Sequence, residues 1–123
     1  GNEAESVSAK HFATNDKFYK KVHDFVGQQL STATEIDTFR FSCIDPLAAR
    51  DAILAHTAKY SDFNTVICPM NTKISTVGAG LAAFVEKRLQ LIYALPLEYN
   101  EKGYSTPGTS VSVFELNRLF SIR

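Results

Sequence analysis

The chain has 123 residues, with 13 Lys+Arg balanced by 13 Asp+Glu and a formal net charge of zero. That length sets one domain as the expectation, with enough chain to bury roughly two-thirds of its unfolded surface without disulfide staples. Zero net charge, with the two halves carrying 7 basic and 8 acidic, then 6 basic and 5 acidic side chains, excludes the basic excess of a duplex nucleic-acid binder.

Residues 1–14 read as a flexible arm, because Asn2–Lys10 is polar and aperiodic. The rest, 15–123, reads as a single α/β domain, either complete or one piece of a larger protein. The first helix is expected from Asn15 to Leu30. Phe18, Tyr19, Val22, Phe25, Val26 and Leu30 fall on one side of a 3.6-residue wheel, with Lys17, Lys20, Lys21, Asp24 and Gln28 opposite. Thr14 or Asn15 can cap it. A first strand is expected over Thr38–Ile44, where Phe39, Phe41 and Cys43 alternate with Arg40 and Ser42. Asp45-Pro46 then opens a second helix running to Tyr60, since Asp at the N-cap and Pro at the first helical position is a start signal. Its two apolar stripes are Leu47, Leu54 and Ala58, and Ala49, Ala52, Ile53 and Tyr60.

Thr65–Pro69 reads as a second strand without alternation, as in a central parallel strand. A third helix follows over Thr72–Lys87, then a third strand over Leu89–Pro96. Glu98–Thr109 is a 12-residue loop. Val111–Leu116 is expected to return as an antiparallel edge strand beside the third, with Asn117–Arg123 as a tail. The fold expected from this order is a Rossmann-like three-layer α/β/α sandwich. Its sheet has four strands, mostly parallel. The second and third helices share one face and the first helix covers the other.

Ligands in such sheets bind beyond the carboxyl ends of the strands. Asp45, Met70–Lys73 and Glu98–Asn100 meet there. Asn71 or Thr72 is the expected cap of the third helix, with unpaired N–H groups behind it. Lys73 then sits in the first turn, where the helix dipole disfavours a cation by about 0.3–1 kcal/mol. An incoming phosphate or carboxylate offsets that cost, and Ser75 and Thr76 add hydroxyls. The competing reading is a capped helix with a solvated lysine. The competing reading of Asp45 is a plain N-cap, and that of Glu98 an ordinary loop residue.

The segment Val66-Ile67-Cys68-Pro69-Met70-Asn71-Thr72-Lys73-Ile74-Ser75-Thr76-Val77-Gly78 resembles part of CRISPR-associated Rossmann-fold sensor domains. Those domains often have a strand, a Gly-Gly-Thr-Lys-type turn and a small-residue helix. The resemblance covers about a tenth of the chain, and it implies a cyclic-oligonucleotide ligand contacted by Thr72 and Lys73. Met70 and Asn71 stand where that family has glycines.

Gly78-Ala79-Gly80-Leu81-Ala82-Ala83 also satisfies G-x-G-x-x-A, with Glu98 20 residues after Gly78. In that alternative Lys73–Val77 is a strand and the glycines cradle the pyrophosphate of NAD(P) or FAD in an enzyme. No G-x-S-x-G or H-E-x-x-H is present. His11, His23 and His56 lack a ligand partner at i+3 or i+4 and read as surface or boundary residues.

The first function expected is a non-enzymatic sensor or binding domain, without cofactor, for a nucleotide or phosphorylated small molecule. Its site is Asp45, Asn71, Thr72, Lys73, Ser75, Thr76 and Glu98. The alternatives are the NAD(P)-dependent enzyme and a structural or oligomerisation module using the small-residue face of the third helix. The apolar stripes suggest contact with a second copy or another domain. No uncharged stretch is longer than the 12 residues of Ile74–Val85, too short to span a bilayer. Cys43 and Cys68, outside any CxxC pattern, read as reduced thiols of a cytoplasmic protein or as one disulfide.

Overall fold

The computed structural model describes residues 9–29, 37–70, 72–93, 95, 97, 98, 109, 111, 113–115 and 117. In chain order these form α1 (Ala9–Gln29), α2 (Pro46–Thr57), a single 3-10 turn (Ala58–Tyr60), β1 (Thr65–Ile67), α3 (Lys73–Val85) and β2 (Leu89–Leu91). The helix expected from Asn15 therefore begins at Ala9. Lys20 pairs with Asp16 at 2.8 Å on its surface, the favourable i,i+4 spacing. Of its expected apolar stripe, Tyr19 and Phe25 are exposed. Leu30 and the side chains of Phe18, Val22 and Val26 lie outside the described set.

The strands β1 and β2 pair in parallel, with Thr65 opposite Leu89 and Ile67 opposite Leu91. The Arg88 carbonyl accepts from Thr65 N at 3.1 Å, and Ile92 N donates to the Ile67 carbonyl at 3.0 Å, closing the ladder at both ends. Three β-branched residues, Thr65, Val66 and Ile67, make β1, as their stiff side chains favour. The connection from β1 to β2 is α3, so the centre of the molecule is one β-α-β unit. The turn leaving α3 is fixed by charge. Arg88 holds the Glu86 carboxyl far below its usual range, at about 2, through side-chain and backbone hydrogen bonds, and its guanidinium also donates to the Ser61 carbonyl.

The expected three-layer, four-stranded Rossmann-like sandwich is not what forms. Among the described residues the sheet has two strands, and α2 and α3 pack on one face of it. Two expected strands account for the difference. Thr38–Ile44 builds no ladder beyond a single bridge at Phe41. Ser42 Oγ accepts from Ile44 N at 3.3 Å and from Asp45 N at 3.0 Å, so the backbone is turned onto a side chain instead of a neighbouring strand. Burial follows the turn, with Ser42 and Cys43 both buried in succession. In Val111–Leu116, the described residues 111 and 113–115 carry no strand pairing. Val111 and Val113 are 90% and 89% exposed, so alternation there does not mark a buried face. The second face of the sheet is also open, because Val66 and Ile92, which share it by register, are 52% and 54% exposed.

The core lies between the helices and the sheet. Ile53 of α2, Ala79 and Ala82 of α3 and Leu89 of β2 are buried together, flanked by Leu54, Ile67 and Ala83. The helix–helix seam is made of small residues. Ala49 and Ala82 are completely inaccessible, and Pro46 is buried at the start of α2. A Cβ built on Gly78 would meet Ala49 Cβ at 2.6 Å and the Pro46 carbonyl oxygen at 2.8 Å. Gly80, two residues on, has nothing within 4 Å.

These two glycines make a paired test. Gly78→Ala forces the helices apart, an overpacking cost of about 1–3 kcal/mol that outweighs the helix propensity gained. Gly80→Ala gains up to about 1 kcal/mol from propensity alone. Urea unfolding is expected to move the two midpoints in opposite directions.

Candidate functional site

The carboxyl end of β1 leads through Met70 and Thr72 into α3. Thr72 is the N-cap, with extended backbone, and its Oγ1 accepts from Ser75 N at 3.2 Å. The same hydroxyl donates to the Cys43 carbonyl at 3.0 Å. That bond carries the chain just before α2 onto the start of α3. Two residues after Cys43, Asp45 caps α2, its Oδ1 accepting from Leu47 N at 2.8 Å and Ala48 N at 3.1 Å. The N-terminal ends of two helices are thus side by side, each capped by its own side chain.

The hydroxyls expected to reach a ligand are bonded to the backbone one turn back. Ser75 is buried, and its Oγ donates to the Thr72 carbonyl at 2.8 Å. Thr76 Oγ1 donates to the same carbonyl at 3.1 Å. Thr72, Ser75 and Thr76 therefore form one local network, which closes the first turn of α3. Lys73 is exposed beside it, and no acidic residue occupies that turn. Among the described residues Lys73 has no carboxylate partner. Dipole and side chain both present positive charge to the same patch of solvent.

The structure thus brings Thr72, Lys73, Ser75 and Thr76 together and sets Asp45 on the adjoining helix end. Asn71 lies outside the described residues. Glu98 is exposed, and nothing described ties it to the others. The dinucleotide alternative needs a strand at Lys73–Val77 and a glycine turn after it. Those residues are instead the first turns of α3, with Gly78, Gly80 and Ala83 further along the same helix. No described glycine has a positive φ, so the tight turn of that motif is not formed. Among the described residues no three His, Cys, Asp or Glu side chains could hold a metal ion.

A second cluster escaped the sequence reading. His56 of α2 faces Asp37, with Phe39 and Tyr60 against its ring. Asp37 and Phe39 lie 17 residues or more before His56 and Tyr60, so no local motif marked the cluster. The Asp37 carboxyl is held below its usual range, chiefly by the hydrogen bond from Tyr60 and next by the Thr38 amide.

No known protein-family model, curated protein or solved structure matches the chain. Among the described residues no helix is long and apolar enough to cross a membrane.

Thr72→Val removes both the cap and the bond to Cys43. It is expected to cost about 1–2 kcal/mol in urea unfolding, above the loss for Thr76→Val, whose hydroxyl only doubles a bond already made by its own amide.

Proposed function

We propose that the chain is a non-enzymatic binding or sensor domain for a phosphorylated small molecule or nucleotide. The ligand's anionic group docks at the carboxyl end of β1, against the first turn of α3. The observation that carries this reading is the pair of adjoining helix N-termini joined by the Thr72–Cys43 bond, with Lys73 exposed beside them. Lys73 supplies a charge and the first backbone amides of α3 supply donors. Thr72, Ser75 and Thr76 hold that turn in shape instead of contacting the ligand. The resemblance to CRISPR-associated sensor domains puts cyclic oligonucleotides among the compounds to try. Cys43 and Cys68 are thiols and not a disulfide, which suits a cytoplasmic setting.

A second reading is a structural module that associates with a copy of itself or with another domain. The open face of the sheet favours it, since parallel strands are ordinarily covered on both sides.

A thermal-shift series with inorganic phosphate, nucleotides, cyclic oligonucleotides, NAD(P) and sugar phosphates separates the readings. A ligand at a hundred times its Kd is expected to raise Tm by on the order of 10 °C. Lys73→Ala is expected to abolish most of that shift without lowering the Tm of the unliganded protein. If no compound stabilises the wild type, the sensor reading is wrong and sedimentation of the protein alone becomes the measurement of interest.

A further inference from the structure

Residues 37–45 run from the C-terminal end of α2 back to its start. They are fastened at both ends. At the far end Tyr60 Oη donates to Asp37 Oδ2 at 2.8 Å, and the Phe39 ring stacks on His56 with centroids 4.0 Å apart and planes 16° from parallel. At the near end the Cys43 carbonyl accepts from Thr72. The segment is a strap laid along one helix and tied to the next.

The far fastening contains an unmet group. His56 Nδ1 is buried and has no hydrogen-bond partner. Its nearest charged neighbour is Asp37 Oδ2, at 3.9 Å. At that separation neither neutral tautomer makes a hydrogen bond. A charged ring is attracted to the carboxylate directly, and the stacked Phe39 shields the pair on one side.

We infer that residues 37–45 form a proton-fastened strap: when His56 takes up a proton, Nδ1–H closes on Asp37 and draws the strap against α2. The other groups around the pair are few. Lys59 and Tyr60 face Asp37 from the 3-10 turn. The strap itself also carries Arg40 and Asp45, α2 carries Arg50 and Asp51, which pair with each other, and the only titratable residue of α3 is Lys73, at its first position. Neither strand contains a charged residue.

Histidines ordinarily gain charge between about pH 8 and 5. The Asp37 carboxyl, held below its usual range by Tyr60, stays ionised throughout that interval. The fastening is therefore fully present once the imidazole is charged and lost as pH rises and it is neutralised. It is lost again only in strong acid, when Asp37 is protonated.

Hydrogen exchange of the whole chain, corrected for intrinsic rates, tests this without any ligand. Protection across 37–44 is expected to be about two- to fivefold greater at pH 5 than at pH 8, the scale of a partly exposed ion pair. Protection in α3 serves as the internal reference and is expected to stay level. Asp37→Asn keeps an acceptor for Tyr60 and is expected to fold and to remove the difference. His56→Gln is expected to remove it as well. Equal protection at the two pH values overturns the inference. So does a difference that survives Asp37→Asn, or one that α3 shares.

Discussion

At Gly78 two helices approach more closely than any side chain would allow, and the rest of the arrangement is built around that contact. The backbone of α3 rests on Pro46 and Ala49 of α2. Because Pro46 is the first residue of α2, the contact lies at its N-terminal end. Gly78 is itself in the first half of α3. A close approach near both helix starts forces those starts to be neighbours. Thr72 is then near enough to bond the Cys43 carbonyl, and the strap that precedes α2 is carried to the same place. A larger residue at the seam would separate the helix ends as well as the core.

The two helix starts are alike in geometry and unlike in charge. Asp45 places an anion at the head of α2, where it offsets the dipole and satisfies two amides. At the head of α3 a neutral threonine does the capping and a lysine follows it. The first turn of α3 therefore keeps its positive potential, while that of α2 is largely neutralised by its own cap. Compensation by a partner is built into one end and left out of the other. That asymmetry, more than any one side chain, makes the start of α3 the more electropositive of the two.

Much of this was legible in the sequence. Asp45-Pro46 marked the start of α2 to the residue, and Thr72 was one of two caps foreseen for α3. Both are local signals, decided within a single turn of chain. The parallel pairing of Thr65–Ile67 with Leu89–Leu91 was also legible, because short uncharged runs flanking a helix have few other uses. The strand expected at Thr38–Ile44 was not. Its alternation is real, but one serine hydroxyl captured the two amides that a ladder would have needed. Ser75 and Thr76 looked like ligand donors by type and position. Their hydroxyls instead found the Thr72 carbonyl one turn back, a competition that residue type alone does not decide. The two glycines of α3 satisfied a motif whose meaning depends on a turn, and the helix continued straight through them.

Among the described residues, long-range side-chain bonds join Tyr60 to Asp37, Arg88 to Ser61 and Thr72 to Cys43. They span 23, 27 and 29 residues of chain. The entropy of closing a flexible loop grows only with the logarithm of its length. Loops so similar in length differ by a small fraction of a kcal/mol on that account. Chain entropy thus gives none of the three ties a head start during folding. The order in which they form falls to the contacts that accompany each closure. Each of the three loops contains all of α2 or all of α3, so each closes around a helix that local hydrogen bonding can assemble beforehand.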